Sequence, residues 1–258
     1  ALKHTILVYD SFNDIFDLQS ENEYAKEIIN SWANADWFLS KPKVEAEIAL
    51  TVYKVSGETN TDDFSPAKEA WSRPDIPLHA QAFLKWSENI SDPLEKLTEL
   101  KTDGSKLAFV GDVVGTGSSR KSAVNSMLWH MGDEIPFVPA KKTGGFCFGN
   151  KIATIFYNTL QDSGAFPVEL DVDALEHGRK IILKPYDGQI LDATSKEIIA
   201  KFDLKSEVIF DEVRAGGRIN LIIGRQLTDK TREKLNLEPS DVFQRYGDDE
   251  KSNKGYTL

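Results

Sequence analysis

The sequence is poor in the residues that bind metals or form cross-links. Cys147 is the only cysteine among 258 residues, so the chain can form no disulfide within itself. Iron–sulfur clusters take several cysteine thiolates, so this chain alone cannot hold one. The four histidines, His4, His79, His130 and His177, are too far apart in sequence to form a local metal-binding motif. We therefore expect no metal site made by this chain alone.

Long apolar runs and positive charge are also scarce. No window approaches the ~20 consecutive apolar residues of a membrane span, and no basic segment followed by an apolar one opens the chain. We therefore expect a cytoplasmic protein with no membrane partner. The 41 acidic residues outnumber the 31 basic ones, and the net charge of −10 disfavours sequence-independent binding to nucleic acid. Because the chain starts at Ala1 and ends in a polar, acidic stretch, we also expect it to be part of a longer protein.

Hydrophobic periodicity predicts a helical lead-in followed by an α/β domain. Residues 22–37 carry apolar side chains at helical spacing, whereas residues 44–53 alternate between apolar and polar ones and predict a strand with one wet face. The change of period places a boundary near residue 40. Residues 57–75 are rich in Gly, Asn, Asp, Ser and Pro, and predict a long loop.

The rest of the chain alternates between short helical and short strand patterns. The predicted helices cover residues 78–86, residues from 123 onward, 152–164, 205–215 and 228–235. The predicted strands cover residues 106–110, 166–170, 180–183, 189–192, 197–202 and 219–223. The charged and weakly periodic residues from 236 onward resemble a linker. Helices interspersed with strands favour an α/β fold with a mixed sheet.

The strongest local signal is a glycine-rich loop between a predicted strand and a predicted helix. Residues 115–120 read Gly-Thr-Gly-Ser-Ser-Arg. Backbone N–H groups at a helix N-terminus favour an anion, Ser118 or Ser119 could cap the helix, and Arg120 adds a planar fork suited to carboxylate or phosphate. The alternative is an ordinary glycine turn with a serine cap. Arg120 stands where both the P-loop and the dinucleotide-binding fingerprint need a glycine, so a small acid is the favoured anion.

A second candidate segment lies in the predicted loop. Residues 59–66 include Asp62 and Asp63, and Arg73 follows in a Ser-Arg-Pro sequence. Paired carboxylates and an arginine on a long loop are typical of the rim of an active site. A solvated turn rich in Asp and Asn has the same composition, and composition alone favours that alternative.

Together these segments resemble the swivel domain of aconitases. The resemblance rests on residues 60–65, 72–74, 115–120 and 213–217, and the longer strings 59–66, 71–79 and 110–125 resemble the bacterial aconitase B branch, whose members are bifunctional aconitate hydratases and 2-methylisocitrate dehydratases. It implies a swivelling β/β/α fold. It also implies three parts: residues 1–40 as the junction to a HEAT-like helical domain, 41–235 as the swivel domain, and 236–258 as a linker to cluster-bearing domains that this chain lacks.

The resemblance also implies a chemistry and roles for five residues. Aconitases convert citrate to isocitrate through cis-aconitate, with a [4Fe–4S] cluster that would be ligated outside this chain. Ser118 matches the general base, and Ser119 matches a hydrogen-bond donor to the substrate. Arg120 and Arg73 match arginines that bind substrate carboxylates, and Asp62 matches an active-site aspartate with an orienting role. Asp63 replaces the histidine of the family pattern, so no role of that histidine carries over.

Two other functions remain open at this stage. Aconitases that lose their cluster can bind RNA, so a regulatory module acting through RNA or self-association is one alternative, although the net charge of −10 counts against RNA. A stand-alone protein that binds small carboxylates through the glycine loop is the other. Because the cluster-bearing domains are missing, we expect the isolated chain to be inactive.

Overall fold

The computed structural model describes residues 12–102 and 104–244, which form two compact units. The helical unit comprises residues 12–43 and 206–244, and the sheet unit comprises residues 44–205. The helices are α1 (Phe12–Leu18), α2 (Glu23–Ala33), α3 (Asp36–Leu39), α4 (Thr61–Phe64), α5 (Ile76–His79), α6 (Pro93–Leu100), α7 (Arg120–Met131), α8 (Thr154–Asp162), α9 (Val208–Ala215) and α10 (Arg218–Lys234). The strands are β1 (Ile48–Asn60), β2 (Leu107–Thr116), β3 (Asp133–Ile135), β4 (Val138–Thr143), β5 (Phe146–Ile152), β6 (Phe166–Glu169), β7 (Lys180–Lys184), β8 (Gln189–Asp192) and β9 (Ile198–Lys201).

Seven strands form one mixed sheet in the order β6-β5-β2-β1-β7-β8-β9, which confirms the predicted fold class. β6, β5, β2 and β1 are parallel neighbours, whereas β7, β8 and β9 continue the sheet antiparallel from β1. β3 and β4 form a separate hairpin that the sequence did not predict. Because β1 and β2 are parallel, both end at the same edge, where Asn60 pairs with Thr116. Ligand sites of α/β sheets commonly lie at such carboxyl ends.

The central strand β1 differs from its prediction. The alternation over residues 44–53 predicted one wet face, yet Thr51 and Tyr53 on that face are 3% and 0% exposed. β1 is the fourth of seven strands, and the Tyr53 hydroxyl donates to the carbonyl of Pro93 at the start of α6, 3.0 Å away. The helix α6 therefore covers the face of β1 that the alternating pattern predicted to be exposed to solvent. Periodicity reads one strand at a time and carries no information about which helix packs on it.

The segment predicted as a long loop, residues 57–75, is mostly regular. β1 continues to Asn60, α4 follows at once, and Ala67–Ser72 form 3₁₀ turns. The predicted helix over residues 78–86 is instead the short α5 followed by a 3₁₀ turn, Ala80–Ala82. Phe64 is fully buried, with its ring centroid 5.0 Å from that of Phe109 in an edge-on contact. One buried aromatic thus pins the segment to the core despite its polar composition.

In the helical unit, α10 corrects a predicted strand. The apolar run at residues 219–223 indicated a strand and a separate helix at 228–235, but Arg218–Lys234 form one helix. A Cβ at Gly224 would lie 2.2 Å from the Trp37 ring, and the Trp37 indole N–H donates to the Thr228 hydroxyl at 3.0 Å. α10 therefore packs on α3, the short helix that contains Trp37. A short apolar run has no period of its own, so sequence alone could not separate the two alternatives.

The predicted domain limits at residues 40 and 235 remain predictions. Within the helical unit, residues 236–244 include Phe243, which is 4% exposed and packs on Phe38 with ring centroids 5.1 Å apart. Residues 1–11 of the predicted lead-in and 245–258 of the predicted linker lie outside the described residues. None of the described helices combines the length and the apolar character needed to cross a membrane.

Candidate active site

Two loops meet at the carboxyl ends of β1 and β2. One begins with Thr61 after β1, and the other contains Gly117 after β2. Gly117 has φ +100°, and a Cβ there would lie 2.6 Å from the Thr61 hydroxyl oxygen. That same hydroxyl accepts a hydrogen bond from the Ser119 N–H at 3.2 Å. Only glycine permits this approach, so residue 117 brings the two loops together.

A second glycine seats the loop on the core. Gly115 has φ +81°, and a Cβ at this position would lie 2.1 Å from the ring of Phe156 in α8. The Phe156 ring stacks on that of Phe64 from the first loop, with centroids 5.6 Å apart and planes 4° apart. The glycine-rich loop therefore packs directly on the Phe156 ring. The same stacked pair of rings anchors the first loop through Phe64.

The serines lie where the sequence predicted, between a strand and a helix. β2 ends at Thr116 and α7 begins at Arg120, so Ser118 and Ser119 form the connection. Ser118 is exposed, in agreement with the predicted loop position. Ser119 is the residue before the helix, but its side chain makes no capping hydrogen bond. The cap that both the anion-site prediction and its alternative allowed for Ser119 is therefore wrong.

Arg73 reaches this connection from the first loop. Its Nη2 donates to the Ser119 hydroxyl at 3.1 Å and to the Ser65 carbonyl at 2.9 Å, and its Nε donates to the Ser65 hydroxyl at 3.1 Å. Ser119 thus uses its hydroxyl to hold Arg73 instead of capping α7. The structure therefore brings Arg73 next to the serine loop.

Asp62 and Asp63 shape the first loop. Asp63 and Asn60 form a reciprocal capping box: the Asn60 side chain accepts from the Asp63 N–H at 3.1 Å, and the Asp63 carboxylate accepts from the Asn60 N–H at 2.8 Å. Burial raises the pKa of Asp63, and repulsion from Asp62 and Glu58 adds to the rise, against the lowering effect of that N–H bond. The Asp62 carboxylate accepts from the Ala67 N–H at 2.7 Å and so fixes the chain that leads to Arg73.

Arg120 is the first residue of α7. Its Nη1 lies 3.4 Å from the Gly117 carbonyl, a long and weak contact. Among residues 12–102 and 104–244, neither Arg120 nor Arg73 has a carboxylate within ion-pair distance. Two guanidinium groups without an acidic partner beside a helix N-terminus are suited to bind an anionic ligand.

Sequence reasoning missed a group of side chains behind Arg73. His79 is 2% exposed and lies between the hydroxyls of Ser65 and Ser72, at 2.7 and 2.8 Å. The Ser65 hydroxyl is also 2.8 Å from that of Ser122 in α7. All four residues lie within or beside segments that resembled the aconitase pattern. A lone histidine among serines has no spacing signature, so only the resemblance could have drawn attention to them.

Comparison with known proteins identifies the family. The family model described as "Aconitate hydratase 2 N-terminus" matches residues 50–256, and one described as "Aconitate B N-terminal domain" matches residues 1–38. The chain belongs to the aconitase B family. Over its full length it is 53% identical to aconitate hydratase B of Salmonella typhimurium, 52% to that of Escherichia coli and 55% to that of Synechocystis. It spans 29% to 31% of the length of these relatives.

A solved structure supports the swivel fold predicted for this aconitase B chain. The 3-isopropylmalate dehydratase (leuD) of Methanocaldococcus jannaschii superposes with a TM-score of 0.53 at 18% identity. The match covers 72% of this chain and 99% of the other. At this identity the likeness concerns the fold alone.

The described residues do not fit the iron–sulfur cluster that aconitases imply. Cys147 in β5 is fully buried, its neighbours across the sheet are Phe109 and Pro167, and burial raises the pKa of its thiol far above the usual range. The structure brings no three His, Cys, Asp or Glu side chains of residues 12–102 and 104–244 together as metal ligands. A buried, protonated thiol is not a metal ligand, so the described residues offer no ligand set for such a cluster.

Proposed function

We propose that this chain forms one wall of the active site of an aconitate hydratase, which interconverts citrate and isocitrate through cis-aconitate. In this proposal the wall contributes the proton-transferring serine and two carboxylate-binding arginines. The observation that carries the proposal is the hydrogen bond from Arg73 to Ser119, which joins two distant predicted site segments at the ends of β1 and β2. The family's resident cluster and the remaining substrate contacts belong to domains outside this chain.

Ser118 acts as the general base in this proposal. It removes a proton from the carbon beside a substrate carboxylate when water is eliminated, and it returns a proton to cis-aconitate in the reverse direction. A serine alkoxide needs strong stabilisation because an ordinary hydroxyl is a very weak acid. The positive end of α7 and the guanidinium of Arg120 next to it favour negative charge at this place. The exposure of Ser118 leaves its hydroxyl accessible to a substrate.

Arg73 and Arg120 bind and orient the substrate. A tricarboxylate carries three negative charges, and planar guanidinium groups pair with carboxylates through two parallel hydrogen bonds. Arg73 is fixed by Ser65 and Ser119, so it is pre-oriented, whereas Arg120 makes only one long contact and is free to adjust to the ligand. Ser119 lies beside Arg73 and adds a hydrogen bond to the same carboxylate. Asp62 acts indirectly: its carboxylate fixes the backbone at Ala67, on the way to Arg73, and it does not contact the substrate.

The substrate range extends to 2-methylisocitrate in this proposal. Its dehydration requires the same steps: binding of carboxylates by the two arginines and proton transfer at a carbon next to a carboxylate. The partners of the chain are thus the tricarboxylates and the other aconitase domains. A chain with net charge −10 offers little support for RNA as a further partner.

The experiment that tests this function replaces Arg73 in the full-length enzyme. We expect Arg73→Ala to lower kcat/KM for isocitrate roughly 100-fold, since a charged hydrogen-bonded pair contributes about 1.5–3 kcal/mol per bond. Arg179→Ala is the matched control, because Arg179 already pairs with Asp192 at 2.9 Å. The control should keep the wild-type kcat/KM. An Arg73→Ala enzyme with unchanged kinetics would contradict the proposed function.

A further inference from the structure

A buried histidine holds the substrate-binding arginine from behind. His79 is the last residue of α5, and the Asp75 carboxylate caps this helix by accepting from the Leu78 N–H at 3.0 Å. The neighbouring Ala80 carbonyl lies 2.8 Å from the ring nitrogen Nε2 of His130 in α7. The helix that carries His79 is therefore fastened at its start and just after its end. The imidazole of His79 has a fixed position relative to α7.

The hydrogen bonds of Ser72 set the tautomer of His79. The Ser72 hydroxyl donates to the Glu69 carbonyl at 2.7 Å, and a hydroxyl has only one hydrogen. Toward His79 Nδ1, 2.8 Å away, Ser72 therefore acts as an acceptor, so Nδ1 carries a proton. In the neutral ring Nε2 then has a lone pair, which faces the Ser65 hydroxyl at 2.7 Å.

The neutral ring fits its surroundings. Burial lowers the pKa of His79, the positive charge of Arg73 lowers it further, and Glu69 acts in the opposite direction. The one hydrogen of the Ser65 hydroxyl lies between His79 Nε2 and the Ser122 hydroxyl, 2.7 and 2.8 Å away, so toward Arg73 the Ser65 oxygen is an acceptor, and the Arg73 Nε donates to it at 3.1 Å. A relay thus runs from Ser72 through His79 and Ser65 to Arg73, and on to Ser119 at the start of α7.

We propose that His79 is a positioning residue: through the Ser65 hydroxyl it fixes the guanidinium of Arg73 for a substrate carboxylate. This inference rests on the proposed function, since it requires that Arg73 bind substrate. His79 itself does not touch the substrate, because it is 2% exposed and both its ring nitrogens are engaged by serines. Its contribution therefore appears in substrate binding more than in proton transfer.

Two substitutions at His79 in the full-length enzyme separate positioning from packing. The side-chain amide of His79→Gln reaches the place of Nε2, beside Ser65, whereas that of His79→Asn reaches only the place of Nδ1, beside Ser72. We expect His79→Asn to raise KM for isocitrate about tenfold, the equivalent of one hydrogen bond of about 1.4 kcal/mol, with a smaller change in kcat. His79→Gln should stay within about threefold of the wild-type KM, because it can still bond to Ser65. Equal KM values for the two variants would overturn the inference.

A double-mutant cycle and a control complete the test. In an Arg73→Ala background, His79→Asn should change kcat/KM less than about twofold, since the residue it positions is absent. A further tenfold loss in that background would overturn the positioning role while leaving the proposed function intact. If Arg73→Ala alone changed nothing, the proposed function would fail instead. Tyr53→Phe is the control for a loss of stability elsewhere in the sheet unit: without the hydrogen bond from the Tyr53 hydroxyl to the Pro93 carbonyl its melting temperature should fall, and its KM should not change.

Discussion

Nη2 of Arg73 lies 3.1 Å from the hydroxyl oxygen of Ser119, a residue forty-six positions further along the chain. The Ser119 hydroxyl accepts this hydrogen bond and does not cap α7. Arg73 has no acidic partner among the described residues. An arrangement that leaves a helix uncapped costs about 1 kcal/mol of stability. Such local costs are typical of binding sites, where the stabilising partner is the ligand.

Removing the hydroxyl of Ser118 should affect turnover. In the full-length enzyme, Ser118→Ala is expected to lower kcat by roughly 100-fold or more, the usual contribution of a general base, with a much smaller change in KM. The measurement is steady-state hydration of cis-aconitate followed by absorbance. Ser119→Ala is the neighbouring comparison and should act chiefly on KM, through Arg73. A kcat unchanged by Ser118→Ala would exclude Ser118 as the base.

The shape of the Arg120 side chain should matter as well as its charge. Arg120→Lys is expected to raise KM and lower kcat, each about tenfold, because an ammonium group cannot form two parallel hydrogen bonds to a carboxylate. Lys121→Ala, which removes the exposed cation of the next residue, should leave both constants near the wild-type values. Equal losses in the two variants would indicate a general effect of positive charge in place of a specific contact.

Gly115→Ala should destabilise the sheet unit. The new methyl group would lie 2.1 Å from the Phe156 ring at φ +81°, so we expect a loss of about 2–4 kcal/mol in the free energy of unfolding. Gly104→Ala is the matched control, with φ +75° and no atom within 4 Å of the added Cβ, and should cost about 1 kcal/mol. Urea denaturation measures both. Similar losses at the two positions would contradict the close contact with Phe156.

The fold should lose stability in mild acid because His79, which is buried, and His130, which is partly buried, are neutral in the folded chain. Burial, together with repulsion from Lys101 and Lys142, lowers the pKa of His130 to about 4, and the pKa of His79 is lowered as well. Below pH 6.5 the unfolded chain binds protons that the folded chain does not, so stability falls as the pH drops toward the folded-state values. The contribution of His130 alone is about 3 kcal/mol by pH 4.

The measurement for this pH effect is the free energy of unfolding as a function of pH. Carboxylates also titrate in this range, so the informative quantity is the difference between the wild type and His130→Gln. The slope between pH 6.5 and about pH 4 should be smaller in the variant. Identical slopes would mean that His130 is not held neutral.

The isolated 258-residue chain should not hydrate cis-aconitate, even under anaerobic conditions with iron and sulfide supplied. Its single thiol, Cys147, is fully buried and protonated, so it cannot assemble a cluster. The full-length enzyme treated in the same way is the positive control. Turnover by the isolated chain would show that its chemistry differs from that of aconitases.

The sequence predicted correctly those features that depend on neighbouring residues alone. The glycine loop lies between β2 and α7 as predicted, because glycines with positive φ and the onset of helical spacing are properties of neighbouring residues. The mixed α/β class followed from the alternation of short periodic segments. The strand predicted at residues 219–223 was wrong because a five-residue run that is apolar except for Asn220 is too short to distinguish the two periods, and these residues lie in one helix that packs on Trp37.

What the sequence alone determined is the inventory: the strand–glycine loop–helix, the candidate residues Ser118, Arg120 and Arg73, the single cysteine, and the resemblance to a family. Only the tertiary structure decided how these residues combine. Parallel pairing of β1 and β2 brought two loops to one edge, Arg73 took the Ser119 hydroxyl, and His79 came to lie between two serines behind it. The reason is physical. Hydrogen bonds between residues far apart in the chain depend on strand order and burial, and the hydrophobic periodicity of the sequence does not encode either of them.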